Sequence, residues 1–115
     1  MAKNIAETRL YRAEMNGKIL AEGMKEFNRF FALDTAAYRD GTLPTGMKEL
    51  MGLVASAVLR CNDCIFYHLD RCVTEGVPRP QIMEALNIAL VVGGSIVIPH
   101  LRYAFEVLEQ LEAAS

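Results

Sequence analysis

The chain has 115 residues, enough for one domain around a single hydrophobic core and too few for two. Hydrophobic residues make up 52%, which excludes a disordered chain. Twelve basic against fourteen acidic residues leave a formal net charge of −2, with no basic block to follow a phosphate backbone, so nucleic acid is not an expected partner.

The N-terminal stretch MAKNIAETRLYRAEM mixes charges with apolar residues at helical spacing. It predicts a first helix over about residues 3 to 21 and lacks the uninterrupted apolar core of a secretory signal, so a cytoplasmic location is expected. A second helix over about 24 to 39 carries Phe27, Phe30, Phe31, Leu33 and Tyr38, and Asp40-Gly41 stops it. Pro44-Thr45 opens a third, because proline suits a helix entry and threonine can cap free amides. Its apolar members Met47, Leu50, Met51, Val54, Ala57 and Val58 recur at three and four, which predicts the buried face.

Asn62 or Asp63 starts a fourth helix, ended by Gly76, a residue suited to the left-handed turn after a helix. Pro78 and Pro80 restart the chain into a fifth helix over about 80 to 92, with Ile82, Leu86, Ala89 and Leu90 inward. Gly93-Gly94-Ser95 is a break, and a last helix over about 97 to 113 carries Leu101, Ala104, Phe105, Leu108 and Leu111. The most apolar run, Ile88 to Pro99, extends about a dozen residues where a membrane span needs roughly 20, so no membrane segment is expected. No run alternates long enough for a strand, and the fold class expected is all-α with about six helices. Several of these helices are apolar on more than one face, which a chain this short covers poorly by itself, so a homo-oligomer is expected.

The chemistry concentrates in CNDCIFYH, residues 61 to 68. At about 100° per residue, Cys61, Cys64 and His68 fall on one side of a helix. A disulfide closing a four-residue loop removes little chain entropy, so Cys-x-x-Cys in a chain without export signals points to redox chemistry or metal binding. A free thiol titrates near pH ~8.5, and a helix N-terminus and a neighbouring imidazole both favour its thiolate. His68 lies four residues after Cys64, the spacing at which helical side chains touch, so Cys64 is assigned as the attacking thiol and Cys61 as the resolving one. A histidine acting as base needs a group behind it, and Glu49, on the third helix, is the candidate if an antiparallel turn near residues 60 to 62 lays the third and fourth helices side by side.

Two other readings of the same residues are open. Cys61, Cys64, His68 and Glu49 could together ligate zinc, or the cysteines could be inert in a helical binding or scaffold protein. Cys72 reads as a packed core thiol, Asp63 as an N-terminal carboxylate that slightly opposes thiolate formation next door, and His100 as structural or at a subunit contact.

The segment KELMGLVASAVLRCNDCIFYHLDRCVTEGVPRPQIMEALNIALVVGG resembles the alkylhydroperoxidase-like branch of the carboxymuconolactone decarboxylase superfamily. The hallmark there is a Glu-Leu pair on one helix and Cys-x-x-Cys-x-x-x-His on the next. Glu49, Cys61, Cys64 and His68 match it, over about residues 41 to 112. One position departs: the best-known alkylhydroperoxidase members have a histidine immediately before the second cysteine, where this chain has Asp63. The resemblance implies an all-helical subunit assembled as trimer or hexamer, with no cofactor or metal. It implies thiol-dependent reduction of a hydroperoxide or disulfide substrate, with Glu49 and His68 relaying protons to the Cys61-Cys64 pair and a thiol protein as possible electron donor. Superfamily members named for lactone decarboxylation generally lack the cysteine pair, and a lactone or keto-acid enzyme working through His68 and Glu49 is the corresponding alternative.

Overall fold

Residues 4–114 of the chain are described by a computed structural model, in which they form six α-helices and a single 3₁₀ turn. The helices are α1 (Ile5–Ala21), α2 (Lys25–Ala37), α3 (Thr45–Val58), α4 (Asn62–Thr74), α5 (Arg79–Gly93) and α6 (Ile98–Ala114), with the 3₁₀ turn at Ser95–Val97. The all-α class and the order of elements agree with the sequence reading. Residue 3, the first of the expected opening helix, lies outside the described residues.

Local chemistry accounts for the boundaries. The side chain of Asn4 accepts from the amides of Ala6 and Glu7 and starts α1. The entry to α3 differs from expectation: Pro44 is the N-cap, and the capping oxygen comes from Asp40, whose Oδ1 accepts from the Thr45 amide at 2.8 Å. This bond holds the Asp40 carboxyl below its ordinary range. Thr45 Oγ1 donates instead to the carbonyl of Tyr38, and Lys48 Nζ donates to the carbonyls of Ala37 and Arg39, so the loop from α2 to α3 is pinned at both ends.

Two helix ends are closed by the same paired motif. At the end of α4, Val77 N donates to Cys72 O and Gly76 N to Val73 O, with Gly76 at φ +75°, the left-handed conformation that glycine adopts without penalty. At the end of α3, Cys61 N donates to Ser56 O and Arg60 N to Ala57 O, with Arg60 carrying the left-handed φ of +60°. This second motif reverses the chain within three residues and places Cys61 directly at the mouth of α4.

Helix α3 packs against α4 and α5, and α4 against α6. Their shared core includes Leu53, Ile65, Leu69, Ile82, Val97 and Leu108, each sealed from solvent. Burying a side chain of this size stabilises the fold by roughly 1.5–3 kcal/mol. The expected buried face of α3 holds for Ala57, which is buried, and for Leu50, Val54 and Val58, which pack against the core. It needs correction at Met47 and Met51, exposed at 47% and 56%, and by the addition of Glu49, Leu53 and Ser56, which face inward. Phe105 of α6 is likewise half-exposed, with Val107 buried instead.

Helices α1 and α2 stand apart from this core. Only Ile5 of α1 is buried and no residue of α2 is. The Cα radius of gyration, 14.6 Å, exceeds the roughly 13 Å expected for a compact chain of this length, in keeping with a hairpin laid outside the core.

Candidate functional site

Helices α3 and α4 bring Glu49 and His68 together across nineteen positions of sequence. Glu49 is 1% exposed, and its Oε1 lies 2.8 Å from His68 Nδ1. An ionised carboxylate can only accept, so Nδ1 carries the proton in this bond and Nε2 is the nitrogen left to act as a base. The other carboxylate oxygen, Oε2, is 3.7 Å from Arg71 Nε, while Arg71 Nη2 donates to Glu75 at 2.8 Å. The turn at Arg60 had to be antiparallel for this contact, and it is.

The imidazole is held on its faces as well as at its edge. The ring of Tyr67 meets it edge-on with centroids 5.3 Å apart, and Tyr38 lies tilted at 5.6 Å. Burial, and after it the negative charge of Glu49, pushes both phenols above their ordinary range, so both keep their protons. Below the ring is Gly52. A Cβ built on Gly52 would sit 2.5 Å from Cε1, 2.7 Å from Nε2 and 2.8 Å from Nδ1 of His68, so α3 offers the ring a seat that any side chain would fill. Glu49 and Gly52, one turn apart on α3, together fix where the imidazole lies.

Cys61 and Cys64 have their sulfurs at disulfide distance, with Cα atoms 5.3 Å apart. Cys61 is the N-cap of α4 and lies outside the helical region at φ −102°, ψ 97°. The shared helical azimuth expected from sequence therefore applies to Cys64 and His68 and not to Cys61. The Sγ of Cys61 instead accepts the amide of Cys64 at 3.2 Å, a free N–H of the first turn. Among the described residues, no three His, Cys, Asp or Glu side chains converge to hold a metal ion.

Cys64 and His68 open onto one cavity of about 350 Å³, in the crevice between the α1–α2 hairpin and α4. Phe30 and Phe31 of α2 and Tyr67 of α4 supply aromatic walls, and Arg12 and Asn16 of α1 close the outer side. Asp63 lies on the same wall, ion-paired to Arg12. Sequence reading found Glu49, Cys61, Cys64 and His68 but not Gly52, Tyr38, Tyr67 or Arg12. Tyr67 was within reach, being adjacent to His68, but nothing local marked Gly52 as a seat or tied Arg12 to a site some fifty residues away.

Cys72 is fully buried beside this assembly, and its thiol is pushed up to about 12, by burial first and then by the charge of Glu49. His100, expected to be structural or at a subunit contact, holds Asn62 through Nδ1 at 2.7 Å from Oδ1, tying the start of α6 to the first turn of α4.

Comparison with known proteins gives the same outline. The sequence profile described as the carboxymuconolactone decarboxylase family matches residues 25–110. An uncharacterised protein of Cupriavidus necator is 30% identical over 110 residues, covering 93% of each chain. A Thermotoga maritima protein at 58% identity superimposes in one crystal structure with a TM-score of 0.91 over 94% of this chain and 95% of that one. A second crystal structure from that organism, at 58% identity and TM-score 0.89 over 93% and 91% of the chains, is of a carboxymuconolactone decarboxylase family protein described as a candidate participant in an antioxidative response. A Legionella pneumophila protein of that family shares the fold at 24% identity, with a TM-score of 0.86 over 96% of this chain and 98% of that one.

Two outcomes are expected from this geometry. Replacing a helical glycine by alanine ordinarily stabilises by about 1 kcal/mol, but Gly52→Ala should destabilise by about 1–3 kcal/mol in denaturant unfolding because its methyl displaces the imidazole. The loss should disappear in a His68→Ala background, and a Gly52→Ala that stabilises the otherwise intact protein would refute the seat. After reduction, alkylation of the native protein near pH 8 should modify Cys61 and Cys64 while Cys72 reacts only in denaturant, as mass spectrometry of the labelled peptides would show.

Proposed function

The chain belongs to the carboxymuconolactone decarboxylase family, and we propose that within it this protein is a thiol-dependent oxidoreductase cycling Cys61 and Cys64 between dithiol and disulfide. Its substrate is a hydroperoxide, or a disulfide whose electrons it relays. The observation that carries this reading is that Cys64, half of a pair at disulfide distance, shares its cavity with an imidazole backed by a buried carboxylate.

The steps follow from the positions of the groups. His68 Nε2 takes the proton of Cys64, and the resulting thiolate attacks the terminal oxygen of a hydroperoxide in the cavity. The S–O bond forms as O–O breaks, and the departing alkoxide takes the proton back from His68 and leaves as an alcohol. The thiol of Cys61 then attacks the sulfenic sulfur of Cys64. Its S–S bond forms as S–O breaks, and the hydroxide leaves as water with the proton of Cys61. An external dithiol returns the pair to its reduced state by two thiol–disulfide exchanges and is itself oxidised to a disulfide.

The two sulfurs are suited to different halves of this cycle. Cys64 faces the cavity and receives the substrate. Cys61 rests on a free helix amide, which stabilises it as the thiolate that departs when the disulfide is opened by attack at Cys64. Glu49 holds the tautomer of His68 and balances its charge once it is protonated.

With a dithiol donor, peroxide consumption should fall to background in Cys64→Ser. A Cys64→Ser protein turning over at the original rate would remove Cys64 from the attacking role. We propose also that the chain works as a homo-oligomer, trimer or hexamer, since Leu10, Leu33, Leu59, Val91 and Val92 are each exposed by 66% or more. Sedimentation equilibrium should return a multiple of the 12.8 kDa chain mass, and a monomer at micromolar concentration would overturn this.

A further inference from the structure

We propose that Arg12 sets the reactivity of Cys64 through Asp63, by neutralising the carboxylate of the residue that directly precedes the attacking cysteine in the same cavity lining. The proposal rests on Cys64 being the attacking thiol. It adds a positioning residue from α1, a helix that precedes residue 25, where the family match begins.

Asp63 is unfavourable where it stands. It directly precedes Cys64, both line one cavity, and a carboxylate close to a thiol disfavours the thiolate by like-charge repulsion. Arg12 removes the problem: its Nη1 pairs with Asp63 Oδ2, and its guanidinium lies over the ring of Tyr67 with Cζ 5.0 Å from the centroid. Only 25% of the Arg12 side chain is exposed, against 69% for Asp63, so the cation is the fixed member of the pair.

Arg12 is also aimed. One turn earlier on α1, Arg9 binds Asp70 through two hydrogen bonds, Nε to Oδ2 at 3.0 Å and Nη2 to Oδ1 at 2.6 Å. Residues 9 and 12 of α1 thus meet residues 70 and 63 of α4, an antiparallel register that delivers the Arg12 guanidinium to the first turn of α4. Asn16, one turn further on the same face, continues along the cavity.

The remaining charged or titratable groups around Cys64 do not duplicate this role. Asp34 of α2 adds a second negative charge to the cavity, Glu49 of α3 is engaged by His68, Arg71 of α4 is engaged by Glu75 and Glu49, His100 of α6 is bonded to Asn62, and Tyr103 of α6, within reach of Asp63, Glu106 and Arg12, has its phenol pushed up by burial and then by the two carboxylates and supplies no cation. Arg12 is the cation that lines the cavity of Cys64.

The test uses the reduced full-length protein at low ionic strength, where surface charge is least screened. Iodoacetamide, a neutral reagent, is applied at pH 6.5 and the rate at Cys64 is read by peptide mass spectrometry. Arg12→Gln should slow alkylation of Cys64 by about threefold to tenfold, the effect of one partly screened charge at this range. Arg12→Lys should restore most of the rate. With Asp63→Asn already in place, Arg12→Gln should cost nothing further. A rate unchanged by Arg12→Gln, a loss that persists in the Asp63→Asn background, or a rise, as expected if α1 merely shields the sulfur, would each overturn the proposal. If Cys64→Ser still abolished turnover, the redox reading would stand without it.

Discussion

The hydrogen bond between Glu49 and His68 is the constraint from which the rest of the site follows. A carboxylate sealed to 1% exposure is costly unless partnered, and its two oxygens face an imidazole and a guanidinium, both carried by α4. Removing one partner of such a buried pair typically costs about 3–5 kcal/mol. The bond therefore ties the register of α3 to that of α4 alongside the apolar contacts of Leu53. It also dictates what can stand one turn further along α3. An imidazole held at its edge by Glu49 lies flat over residue 52, and only glycine leaves room for it. The electrostatic and the steric parts of the site are thus two consequences of one helix face.

That face explains where the sequence was legible and where it misled. The helix boundaries could be read because caps and left-handed turns have local signatures: Gly76 closes α4, and Pro78 and Pro80 begin α5. The buried face of α3 was read correctly at Ala57, Leu50, Val54 and Val58 and misread at its margins, because the residues that point inward there include Glu49 and Ser56, which are polar, while Met47 and Met51 outside are apolar. A hydrophobic pattern locates a stripe bound for a core; it does not locate one on which a buried carboxylate occupies an inward position. Glu49, Cys61, Cys64 and His68 were found through their spacing and chemistry, which the misread margins of that face did not disturb.

What lay beyond the sequence was contact across large separations. The pairing of Arg12 with Asp63 joins residues fifty-one positions apart, between helices whose touching faces are charged. Such a face resembles an ordinary solvated surface, and its role as the outer wall of a cavity emerges only once α1 is laid along α4. The aromatic lining from Phe30 and Phe31 is similar: the sequence places them on the second helix without saying what they face, and in the fold they bound the crevice that leads to Cys64.

Helix α4 shows how one element serves these demands together. At about 100° per residue, Ile65, Leu69 and Cys72 form one stripe, and all three are fully buried in the core. Cys64, His68 and Arg71 form a second, roughly 100° around, which carries the sulfur, the imidazole and the cation that approaches Glu49. Asp63, Tyr67 and Asp70 form a third, a further 100° around, and each meets an arginine of α1. The core stripe sets how deep the helix sits, and that depth holds the second stripe at the boundary where His68 can be nearly buried while Cys64 still opens to the cavity. The third stripe then brings α1 over that opening. Because the stripes are rigidly coupled through a single helix, a change that rotates α4 to relieve one would misplace the other two. For that reason a helix of thirteen residues can present Cys64 to the cavity, His68 and Arg71 to the sealed carboxylate of α3, and Asp63 and Asp70 to the arginines of α1.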